Sequence, residues 1–177
     1  MEADQEIKSF TESKEVRMDV EPRKKLSMIV SSGDMDKLFA AFSIAAGAAA
    51  SNMDVTMFFT FWGLRALKKR VRTGRSVLGR LLGLFYGGDI TRAAPSKMSY
   101  GGVGRWMFKK MMKAKRVPSL VDLRQTALDL GVKLYGCTMS MEVMEIPRES
   151  MIGEVAACVG VAFFLEQAQQ SEITLFI

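Results

Sequence analysis

A chain of 177 residues, 49% of them apolar, has room for one domain with a substantial core and little room for a second. It holds two cysteines and no histidine, which excludes disulfide scaffolds, four-ligand zinc sites and every mechanism that needs an imidazole from this chain. The net charge of +6 is lopsided, because fifteen lysines and arginines stand between Arg65 and Arg116 against one acid, Asp89.

Residues 1–22 are polar and mixed in charge, with one aromatic, Phe10. They read as a flexible tail and lack the apolar run of a secretory signal. Residues 23–177 read as a single domain. Leu26-Ser-Met-Ile-Val30 is a buried strand, and Ser31-Ser-Gly-Asp34 supplies the turn and helix cap after it. The alanine-rich run from Met35 to Ser51 favours a helix packed closely on a sheet. Val55 to Phe61, β-branched and aromatic, is a second strand, and Trp62 to Arg72 is expected to be helical.

Residues 73–104 hold eight glycines and one proline among apolar and basic residues. This stretch reads as an irregular insertion with a short helix at Val77 to Phe85. Helix returns at Arg105 to Lys115. Ser119-Leu-Val-Asp122 has the form of a capping box, opening a helix that Gly131 ends. Val132 to Cys137 is a third strand and Thr138 to Glu145 a helix. Val155 to Ala157 is a short strand, Val159 to Gln170 a helix and Ile173 to Ile177 the last strand. No apolar run reaches the ~18–20 residues of a membrane-spanning helix, so the expected location is the cytoplasm. Strands that are continuous apolar runs alternating with helices predict an α/β domain: a mainly parallel sheet of about five strands, covered on both faces.

Cys137 is the residue on which chemistry is expected. It ends a predicted central strand, where ligands bind in open α/β sheets, and the next residues open a helix. The N–H groups of Thr138, Met139 and Ser140 would stabilise its thiolate, which makes sulfur nucleophilic without a histidine. The plainer reading is an inert buried thiol. Cys137 is expected to be exposed at the sheet edge, whereas Cys158 lies among alanine, valine and glycine and reads as buried and structural. No metal site and no cofactor are expected.

The basic stretch is open to several readings. It is a solvated surface, or it attracts an anionic substrate, an acidic partner or an anionic membrane face. Arg65, Lys97 and Arg105 are the residues expected to attract an anion. Tyr100-Gly-Gly-Val-Gly104 matches neither the dinucleotide fingerprint nor the P-loop and reads as a loop. No nucleic-acid partner is expected.

Lys25 to Val30, Ser32-Gly-Asp34, Met57-Phe-Phe-Thr-Phe-Trp-Gly-Leu64 and Val132 to Met144, with its Cys-Thr-Met-Ser-Met core, together resemble the DsrE/DsrF-like sulfur-relay family, and within it the methionine-rich branch described as peroxiredoxin-like. The resemblance runs from about Lys25 to Ile177. It implies a flavodoxin-like three-layer α/β/α fold and a homo-oligomer. It also implies a cysteine, matched by Cys137, that carries sulfane sulfur as persulfide or thiosulfonate. Exchange with a TusA-like sulfur carrier or a rhodanese-type sulfurtransferase is implied too, as is membrane association for some relatives.

The resulting expectation is a sulfur carrier or sulfurtransferase acting through Cys137. Its rival is a non-catalytic oligomeric binding module whose basic insertion docks on a partner or a membrane. A peroxidase role ranks third.

Overall fold

The computed structural model describes residues 23–71, 73–74, 76–85, 88–97 and 102–177. The expected N-terminal tail lies outside them. Five strands, β1 (Lys25–Val30), β2 (Asp54–Phe59), β3 (Lys133–Cys137), β4 (Ala157–Val159) and β5 (Ile173–Phe176), pair in the order β4-β3-β2-β1-β5, every pair parallel. Six α-helices accompany them among the described residues: α1 (Met35–Ala50), α2 (Val77–Phe85), α3 (Val103–Ala114), α4 (Leu120–Asp129), α5 (Thr138–Val143) and α6 (Val161–Gln169).

The strand pleat sorts the core into two layers. Leu26, Met28 and Val30 of β1, Val55, Met57 and Phe59 of β2 and Leu134 of β3 point to one face. There they bury against Leu38, Ala41, Phe42 and Ala45 of α1 and against α4. The small residues of α1 let helix and sheet approach closely, and the Phe42 and Phe59 rings meet at 6.0 Å between centroids. The opposite face carries a smaller cluster of Phe58, Cys137 and Phe164, flanked by Ile29, Tyr135, Val159 and Ala168. Among the described residues, α6 covers that face. Its one fully buried side chain is Phe164, stacked on Phe58 at 5.4 Å, with Phe163 beside Tyr135 at 4.7 Å.

Several local expectations hold. Ser119 caps α4 in a capping box with Asp122, and Gly131 follows the helix at φ 85°. Within the insertion a helix spans Val77–Phe85 as expected, and a short 3-10 turn spans Ile90–Arg92.

Two elements differ. The helix expected over Trp62 to Arg72 is a 3-10 turn, Phe61–Leu67, ending at an extended Lys68. Ile152 N–H donates to the Leu67 carbonyl and Lys69 N–H to that of Ser150, so pairing with a distant segment takes the backbone groups that would have continued the helix. The short strand starts at Ala157, two residues later than expected, because Val155 N–H is held in a turn on Ile152.

A candidate site at the carboxyl edge of the sheet

Right-handed crossovers place helices on one face while the chain moves across a sheet in one direction, and on the other face when it reverses. From β1 to β3 the chain steps one way, and α1 and α4 lie on one face. From β4 it returns across the whole sheet to β5, and α6 therefore lies on the other face. The chain leaving β3 turns into α5, whose Met141 joins the larger core, while the chain leaving β4 turns into α6 beneath the smaller one. These two strand ends diverge, and such a divergence is where open α/β sheets bind ligands. Cys137 is the last residue of β3 there and pairs with Val159, the last of β4.

Cys137 is the N-cap residue of α5, with extended backbone at φ −76° and ψ 116°. The N–H groups of the first helical turn, Thr138 to Ser140, have no carbonyl one turn earlier within the helix to accept them. The Thr138 hydroxyl donates to the Val159 carbonyl at 3.4 Å and ties the two strand ends together. Ser140 is fully buried and its Oγ has no hydrogen-bond partner among the described residues. It stands at the N3 position, from which a side chain reaches back toward the N-cap residue.

The exposure expected for the two thiols is reversed. Cys137 is 3% exposed, buried on the α6 side of the sheet in one cluster with Phe58 and Phe164. Cys158 is half-buried and lines an open cavity of about 400 Å³ together with Thr138, Glu142 and Arg148. The two are close in the sheet but face opposite sides, since Cys158 pairs with Gly136 and not with Cys137. Burial pushes the Cys158 thiol above its usual range, and the Arg148 cation offsets part of that rise.

The three cations expected to attract an anion do not converge. Arg65 lines a cavity beside the loop after β1. Lys97 is exposed, and Arg105 Nη1 donates to the Arg92 carbonyl at 3.3 Å. Sequence reasoning missed Lys68, which joins Arg65 at that cavity, and Arg148 beside Cys158. Lys68 opens the run Lys68-Lys69-Arg70, which looks solvated throughout, and nothing local marks the one that turns inward.

The model of the DsrE/DsrF/DrsH-like family matches residues 22–176. The chain belongs to this family. It is 35% identical over 159 residues to the uncharacterized protein YrkE of Bacillus subtilis, covering 89% of this chain and 99% of that one. It is 32% identical over 160 residues to the sulfur carrier protein DsrE2 of Allochromatium vinosum, covering 88% and 99%. In fold it is similar to the crystal structure of the YchN protein from E. coli, with a TM-score of 0.55 at 10% identity over 87% of this chain and 99% of that one. The DsrE/DsrF-like resemblance and the three-layer α/β/α fold that it implied are both borne out.

Proposed function

We propose that this protein is a sulfur carrier that holds sulfane sulfur as a persulfide on Cys137. The observation that carries this reading is the position of Cys137 at the diverging ends of β3 and β4, in a chain similar over most of its length to a sulfur carrier protein. The chemistry is balanced exchange. The Cys137 thiolate attacks the outer sulfur of a donor persulfide, the donor S–S bond breaks, and the donor leaves as a thiolate that takes up the proton. Delivery is the reverse step onto an acceptor thiol, and neither step needs an oxidant. The partners proposed are a TusA-like carrier or a rhodanese-type sulfurtransferase, and the location proposed is the cytoplasm or its membrane surface. Burial under α6 would shield the loaded sulfur from water and stray thiols, and loading then requires α6 to lift locally. Intact mass after incubation with a persulfidated donor tests the reading. A gain of one sulfur atom is expected, and no gain with polysulfide, thiosulfate or a persulfidated carrier overturns it.

Membrane-surface docking is a second reading, and α2 and α3 favour it. Val77 and Leu78 of α2 and Val103, Trp106 and Met111 of α3 are well exposed, with Lys110 over the Trp106 ring at 5.2 Å and Lys113 in the last turn. Apolar residues beside cations on short helices suit an anionic lipid interface. No helix among the described residues is long and apolar enough to cross a membrane. Co-sedimentation with phosphatidylglycerol-containing vesicles should exceed that with phosphatidylcholine alone, fall as salt rises from ~0.1 M to ~1 M, and weaken in Trp106→Ala. Equal binding to both vesicle types would count against it.

Self-association fits the other side of the molecule. Val161 and Leu165 of α6 and Phe176 of β5, which pairs with Ile29, are all more than half exposed. Light scattering at micromolar concentration should show an oligomer that Phe176→Glu shifts toward monomer. The sequence also offers the apolar residues Leu81, Leu82, Leu84, Phe85 and Tyr86 for burial between subunits; Leu81 is half exposed, while the side chains of Leu82, Leu84 and Phe85 and all of Tyr86 lie outside the described residues.

A further inference from the structure

Two loops leave the carboxyl ends of β1 and β2 in backbone contact. A Cβ on Gly33 would stand 2.5 Å from the Trp62 carbonyl oxygen, so only glycine allows this approach. Between the loops lies a cavity of about 240 Å³ lined by Ser32, Gly33, Asp34, Arg65, Lys68 and Thr73 among others. The start of α1 follows directly after Asp34, and the positive end of that helix faces the same edge of the sheet.

Lys68 is the unusual member. It is 5% exposed, its ammonium donates to Thr73 Oγ1 at 3.0 Å, and it forms no ion pair among the described residues. An ammonium has three donors and pays heavily for leaving water unless an opposite charge meets it. Burial, with Arg65 nearby, pulls its pKa down. Asp34 also lines the cavity, its carboxylate accepting from the Ser32 hydroxyl at 3.0 Å.

We propose that this cavity binds a small tetrahedral oxyanion of the sulfate, thiosulfate or phosphate type, held by Lys68 and Arg65. The anion supplies the charge that Lys68 lacks. The cavity is separate from the thiol, since Cys137 does not line it, and the inference does not rest on sulfur transfer.

Titration calorimetry and thermal unfolding with sodium sulfate, thiosulfate and phosphate, each against sodium chloride at matched ionic strength, test this. In the wild-type protein at least one oxyanion should bind and raise the melting temperature above the chloride control, and the ranking of the three identifies the class. Lys68→Met should weaken binding at least about tenfold, because a charge-assisted contact is lost, while losing no stability without anion. Lys68→Gln serves as the second variant if the methionine does not fold. Cys137→Ala should bind the anion as the wild type does. No binding beyond the chloride control, or unchanged affinity in both Lys68 variants, overturns the proposal. Loss of binding in Cys137→Ala overturns the separation of the two sites.

Discussion

Sulfur loading should disappear in Cys137→Ala and survive in Cys158→Ser. Alanine is the sharper substitution at position 137, because serine would bury a hydroxyl in an apolar cluster and cost about 1–3 kcal/mol. Intact mass and peptide mapping after exposure to a persulfide donor give the readout. The Cys158 variant should load to within about twofold of the wild type, because that thiol is pushed toward its protonated, poorly nucleophilic form. Exposure argues the other way, since the half-buried Cys158 lines an open cavity beside Arg148 and Cys137 is covered. The experiment therefore weighs a place at the diverging strand ends against simple access. Sulfur mapped to Cys158, with Cys137→Ala loading normally, would move the carrier site to the far face of β4.

Much of the fold is legible because its signals are local. Each buried strand is a continuous apolar run, as a parallel sheet covered on both faces requires, and the start and stop of α4 are written in Ser119, Asp122 and Gly131. The position of Cys137 at a strand end followed by a helix is legible for the same reason. Its depth is not. What covers it is Phe164, 27 positions later in the chain, brought over by the return crossover from β4 to β5. The inward turn of Lys68 is hidden likewise, because it follows from Leu67 and Lys69 pairing with residues 150–152. Local pattern shows which residues form an element. The depth of an element's last residue is decided by whichever segment the topology lays across it.

That dependence yields the second large effect. Phe164→Ala should destabilise the protein by about 3–5 kcal/mol, the usual cost of emptying a buried aromatic site. The loss should also be local. Phe164 is the one fully buried side chain of α6, so removing it should loosen that helix more than the sheet. Chemical denaturation measures the first effect, and alkylation of the two thiols under native conditions measures the second. Cys137 should react at least about tenfold faster than in the wild type, while Cys158, on the other face, should react at its former rate. Cys158 is thus an internal control, because global unfolding would expose both thiols in step. Parallel acceleration of both would mean that α6 and the sheet open as one unit. A Cys137 that stays protected would mean that the Phe58–Phe164 stack is not what covers it, and access for a sulfur donor would then have to come from the α5 side.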